Sequence, residues 1–79
     1  MKLIMKNFNK NVGLTNVELK NNILTITHTG NMGNSIERSV NPNLKLINIE
    51  SIEELKNKYT LISEEGCPDY LYQIKFKIN

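Results

Sequence analysis

The sequence predicts an α+β domain that is mainly antiparallel β. Five to six strands form a strongly curled or small barrel-like sheet, with one short helix near residues 52–59. Three observations carry that prediction. In residues 70–78, Tyr70, Tyr72, Ile74, Phe76 and Ile78 alternate with Leu71, Gln73, Lys75 and Lys77, the period-2 pattern of a strand with one buried and one solvated face. The adjacent Asn21 and Asn22 lie between two short apolar runs, and Asn tolerates the positive φ that a two-residue hairpin turn demands. Ser51 and Glu54 are spaced as a capping box ahead of an apolar helical stripe, so one helix interrupts the strands.

The chain has 79 residues, enough for one domain and one modest core but not for two. A hydrophobic fraction of 39% and a charged fraction of 23% are near globular averages and argue against wholesale disorder. The heavy use of Asn, Lys and Ile is the mark of an AT-rich genome. A net charge of +2 falls short of the clustered basic balance of a dedicated nucleic-acid binder. Cys67 is the single cysteine, so no internal disulfide staples the fold, and a reducing cytoplasm is the expected compartment. The apolar run in residues 1–7 is too short for a signal peptide or a membrane span, and no other stretch reaches spanning length. A soluble chain with no membrane partner is expected.

Taken in order, residues 2–8 predict a first strand, and residues 9–13 a polar loop in which Gly13 supplies conformational freedom. With Asn21 and Asn22 at the turn, Lys20 pairs with Ile23, Leu19 with Leu24, Glu18 with Thr25 and Val17 with Ile26. That register puts Val17, Leu19, Leu24 and Ile26 on one face, and a slip of one residue would scramble both faces. His28 extends the same face at the strand end. Residues 30–34 then form a loop, and residues 35–40 are expected to return as a third strand, with His28 opposite Ile36 and Ile26 opposite Arg38. Pro42 is expected to stop that strand, since proline removes a ladder donor. Residues 44–49 predict a fourth, poorly alternating strand. The helix from Ser51 buries Ile52, Leu55 and Tyr59 and offers Glu54 and Lys58 as an i,i+4 ion pair. Residues 60–63 form a short strand and residues 64–69 a loop before the final strand.

Few residues carry chemistry. One His and one Cys fall short of the three or four ligands of a zinc site, and no cluster of carboxylates replaces them. No metal or cofactor is expected. Glu64, Glu65 and Asp69 surround Cys67 in sequence and oppose formation of a reactive thiolate. His28 has no carboxylate on its own predicted face, so an acid/base pair lacks its geometry. The spelling Gly30-Asn31-Met32-Gly33 matches the glycine-flanked backbone-binding loop of KH domains, but here it joins two expected strands instead of two helices. It reads instead as a hairpin loop whose tip residue, Met32, offers an apolar anchor.

The expected function is therefore that of a non-enzymatic protein-binding module. Its contact residues are Met32 and Asn31 in the loop, the rim of Arg38 and His28, and the solvated Lys75 and Lys77. Arg38, sent by the predicted pairing toward an apolar face, has reason to seek an anionic partner at the edge. Small proteins of this composition without catalytic motifs are typical of phages and mobile elements, where inhibitors of host defence such as anti-CRISPR proteins occur. The alternative is a weak nucleic-acid binder that uses the lysine-bearing sheet face. Lysines that discourage sheet-to-sheet aggregation account for the same residues structurally.

Overall fold

The computed structural model describes residues 7–29, 36–66 and 71–78. In these residues the chain runs β1 (Phe8–Val12), β2 (Thr15–Lys20), β3 (Ile23–His28), α1 (Ile36–Ser39), α2 (Asn41–Lys45), α3 (Ile52–Lys58), β4 (Thr60–Gly66) and β5 (Tyr72–Lys77). The five strands form one antiparallel sheet in the order β1-β2-β3-β5-β4. β1 and β4 are its two edges and do not pair with each other, so the sheet is open and not a barrel.

The hairpin has the register read from sequence. Asn21 and Asn22 take φ of 54° and 65°, the pair of positive values that a type I′ turn requires. Lys20 then faces Ile23, Leu19 faces Leu24, Glu18 faces Thr25 and Val17 faces Ile26. The Asn7 side-chain oxygen accepts from the Asn21 amide at 3.3 Å and braces the turn from outside. β5 lies against β3 with Leu24 opposite Phe76, Ile26 opposite Ile74 and His28 opposite Tyr72. The alternating stripe of the last strand therefore continues the apolar face of the hairpin.

The helices cover that face. Val40, Leu44, Ile49, Ile52 and Leu55 are buried in one cluster with Val17, Leu19, Leu24, Ile26, Tyr72, Ile74, Phe76 and Ile78. Phe8, Ile47 and Tyr59 close its margin. The result is two layers around one core, the arrangement by which a sheet with one apolar face hides it.

Residues 36–49 depart from the expectation of two strands. In place of the third strand stands helix α1 (Ile36–Ser39), and residues 44–49 belong to α2 and its closing turn. Pro42 sits in the first turn of α2, where its fixed φ and missing N–H suit a helix start. Val40 and Leu44, four residues apart, both enter the core. The helix closes at Asn48, whose φ is 67°. The Ile49 amide donates to the Leu44 carbonyl at 2.9 Å and the Asn48 amide to Lys45 at 3.2 Å, the pair of bonds that defines a Schellman ending. β5 takes the place beside β3 that the third strand was expected to fill.

At the start of the chain, β1 occupies residues expected to form a loop. The strand expected at residues 2–8 lies outside the described residues apart from Asn7 and Phe8. β1 is nearly without apolar alternation, and what holds it is its partner: it pairs along β2 from Phe8↔Leu19 to Val12↔Thr15. Asn16 also donates to Asn9 at 2.6 Å and to Asn11 at 2.7 Å across the ladder.

α3 begins as the sequence indicates. The Ser51 hydroxyl accepts from the Glu54 amide at 3.1 Å, and Lys58 lies 3.5 Å from Glu54. A second residue satisfies another free amide of the same terminus, because Asn41, buried in the core layer, accepts from the Ile52 amide at 3.0 Å. Its amide nitrogen donates to Glu53 at 3.3 Å. Asn41 thus fastens α2 to α3 and fills the role of a cap supplied from outside the helix.

Candidate functional site

The layers leave two surfaces for contact, the uncovered sheet face and the sheet edges. Cross-strand register sorts the uncovered face into three rows. The first is Asn9, Glu18, Thr25, Lys75 and Ser63; the second is Asn11, Asn16, Thr27, Gln73 and Glu65; the third is Lys20, Ile23, Lys77 and Thr60. Gln73 donates to Thr27 at 3.2 Å, and the Asn9–Asn16–Asn11 amides are joined as described. This face is polar and laced by cross-strand hydrogen bonds, each contributing a few tenths of a kcal/mol to about 1 kcal/mol. Lys20 and Lys77 flank the exposed Ile23.

The edge at β4 differs in character. Tyr59 leaves α3 in extended geometry, with φ −128° and ψ 164°, so the helix passes directly into the strand. β4 pairs with β5 on one side, from Thr60↔Lys77 to Gly66↔Tyr72, with an irregularity between Leu61 and Ser63 that leaves Ile62 as the extra residue. Among the described residues no strand pairs with its other side. Leu61 and Ile62 are 42% and 48% exposed and adjacent. An apolar pair on a bare strand edge is a contact surface or an aggregation hazard, which natural edges usually blunt with bulges and charge.

The middle of β4 is fixed by an ionic cluster. The Tyr72 hydroxyl donates to Glu64 Oε2 at 2.8 Å, and Lys56 Nζ on α3 lies 3.1 Å from Glu64 Oε1. The Tyr72 hydrogen bond holds the Glu64 carboxyl below its ordinary range; burial opposes this, and Lys56 adds to it. Burial, with Glu64 second, pushes the Tyr72 phenol up. Glu65 is exposed, and its partner across the ladder is the neutral Gln73.

The described site residues expected from sequence stand on three different elements, β3, α1 and β5. Asn31 and Met32 lie outside the described residues, as does Cys67. Arg38 is exposed on α1 instead of standing beside His28 on a neighbouring strand, because the expected pairing does not form. Lys75 is half-buried and Lys77 exposed, both on the uncovered face, and β5 is an interior strand. His28 belongs to the core face, only 5% exposed. Its Nδ1 lies 2.8 Å from the Thr15 hydroxyl, which also accepts from the Asn43 amide at 3.0 Å. Asn43 donates to the Ser39 carbonyl as well, at 3.4 Å. With Asn43 as its donor, the Thr15 hydroxyl is free to give its own proton to His28, an arrangement that suits the neutral imidazole with Nδ1 as acceptor. Burial lowers the His28 pKa and favours the same neutral form. A hydroxyl beside an imidazole is a nucleophile pair in outline, but Thr15 is 1% exposed, and the pair serves to tie α2 to β2 and β3.

Leu61, Ile62 and Lys20 are the surface residues that sequence reasoning missed. Leu61 and Ile62 read as an ordinary short strand, and only the sheet order reveals that the strand is an edge. Among the described residues no group of three or more His, Cys, Asp and Glu side chains is placed to hold a metal ion. Among the same residues no helix is long and apolar enough to cross a membrane. Comparison with protein-family models, curated proteins and solved structures finds no match in any of the three. Among the described residues, fold and surface together define a small two-layer α+β domain with a polar open face and an unpaired, partly apolar edge.

Proposed function

We propose that this chain is a non-enzymatic protein-binding module that makes contact through the β4 side of its sheet. The observation that supports this most is the adjacent exposed pair Leu61 and Ile62 on the edge strand. Strand edges give affinity through main-chain hydrogen bonds and specificity through side chains along them. The finer reading, an inhibitor from a phage or mobile element acting on a host defence protein in the cytoplasm, rests on composition alone. Asn31, Met32 and Arg38 remain a second set of contact residues in the proposal, and His28 is buried on the core face.

The test is capture of partners from the source cell with the immobilised chain, identification by mass spectrometry, and titration of the purified partner. Leu61→Ser with Ile62→Ser is expected to weaken binding by about 1–3 kcal/mol, while Met32→Ala and Arg38→Ala report on the second region. Unchanged affinity in all of these variants would remove both surfaces from the proposal.

A second reading has its own support in Lys20, Lys75 and Lys77, which share one corner of the uncovered face. A nucleic-acid ligand there would lose affinity steeply with added salt, whereas a protein partner on the Leu61–Ile62 edge would not.

A further inference from the structure

Resting on the protein-binding reading, we infer that the outer edge of β4 receives an extended segment of a partner protein as a sixth strand. The segment carries a Lys or Arg three residues ahead of an apolar residue. Among the described residues β4 pairs with β5 on one side alone, so its other side presents backbone donors and acceptors to an incoming strand. The antiparallel direction makes the more stable ladder.

Side chains along β4 then set the chemistry of the occupant. Leu61 lies opposite Phe76 and so on the core side, while Glu65 lies opposite Gln73 and so on the uncovered face. Because Ile62 is an extra residue, Leu61 and Glu65 are three pairing steps apart on a regular partner strand, and three steps change face. An antiparallel partner meets Glu65 first and Leu61 third after it, which gives the order basic, two intervening residues, apolar. Glu64 adds no demand of its own, since Tyr72 and Lys56 already engage both its oxygens. Glu64 and Glu65 are both exposed, and Glu65 faces the neutral Gln73 across the ladder.

A second copy of this chain fits the edge poorly. Antiparallel self-pairing centred on Glu64 sets two copies of that carboxylate against each other, and centring on Ser63, with Ile62 extra on both strands, sets Leu61 against Glu64 and Thr60 against Glu65. Neither register gives Glu65 a basic partner, so the acid pair favours a complementary strand over a like one, the usual logic of protected edges.

The test uses the full chain and synthetic peptides of about ten residues, a usual strand length. Their pattern alternates Thr and Val, with Lys at one position and Val three residues later. Controls carry Glu in place of Lys, or N-methyl groups on the edge-facing amides. Fluorescence anisotropy is expected to show the Lys peptide binding about fivefold or more tightly than the Glu peptide, the scale of exchanging one exposed attractive pair for a repulsive one. Glu65→Lys, an exposed substitution whose folding circular dichroism verifies, is expected to invert that preference, and N-methylation to abolish binding. Equal binding of Lys and Glu peptides, absence of binding by either, or a preference untouched by Glu65→Lys overturns the inference. If the peptides fail while a captured partner still depends on Leu61 and Ile62, the module stands and strand addition falls. If no partner is captured and no peptide binds, both fall.

Discussion

Replacing Thr15 with Val removes one buried oxygen and almost no volume, and the structure sets the size of the effect. The hydroxyl bridges Asn43 Nδ2 at 3.0 Å and His28 Nδ1 at 2.8 Å. Without it, the imidazole acceptor is left buried with its donor gone, a loss of about 1–3 kcal/mol for an unsatisfied polar group. Asn43 keeps the Ser39 carbonyl at 3.4 Å, so its share adds little. The expected net destabilisation is about 1–3 kcal/mol, a large part of the roughly 4–12 kcal/mol ordinary for a domain of this size. Urea unfolding at neutral pH, followed by circular dichroism, should show a lower midpoint with an unchanged slope. The same experiment has a pH arm. His28 is the single histidine, and burial holds its folded pKa below the ordinary 6.5. The unfolded chain therefore binds a proton that the folded chain refuses. Stability from this group is complete above the unfolded value and is lost as pH falls below 6.5 toward the folded value. His28→Gln should flatten that slope as pH falls below 6.5. A Thr15→Val midpoint equal to that of the parent, or a parent whose stability stays level over that fall in pH, would refute the reasoning.

Three further outcomes follow from positions already described. Asn22→Gly should leave stability unchanged or raise it, while Asn22→Val should lower it, because φ of 65° suits the first and strains the second; equal melting temperatures would contradict the turn. Phe76→Ala, at a site closed to solvent, should cost about 3–5 kcal/mol and unfold much of the population at 37 °C. A melting temperature within a few degrees of the parent would contradict its place in the core. Gly66→Ala should detach the end of β4 from β5, since at φ 123° its Cβ runs into the Leu71 carbonyl and lies 2.7 Å from the Tyr72 Cα; hydrogen exchange at the Glu65 and Gln73 amides reads the loss, and unaltered protection would count against it.

What the sequence made legible was what neighbouring residues decide among themselves. The Asn21–Asn22 hairpin was readable to the residue because turn chemistry and alternation agree on one register. Ser51 and Glu54 were readable as a helix start because the capping bond closes within four residues. Residues 36–49 were misread because Pro42 ends a strand and opens a helix with equal ease, and the deciding signals were the Val40–Leu44 spacing and Asn48 as a left-handed terminus. β1 was hidden by its composition: Asn-Lys-Asn has little intrinsic strand preference, and the exposed flank of β2 supplies the pairing that overrides it. Of the candidate surfaces, the lysine face was visible from alternation alone. The Leu61–Ile62 edge depends on which strand ends the sheet, and no local pattern encodes that.

The strand order also dictates a sequence of events in time. β5 comes after β4 in the chain yet stands between β3 and β4 in the sheet, and Gln73 must find Thr27 across a separation of 46 residues. On a ribosome, the hairpin of β2 and β3 can form as soon as it emerges, while β4 emerges with no neighbour to receive it. Its backbone must wait unpaired until Ile74 and Phe76 arrive and complete both ladders at once. The loop closed in that step makes the encounter slow relative to the local turns. The interval before β5 arrives is when a nascent chain of this protein is most open to capture by a chaperone or to mispairing with another nascent chain.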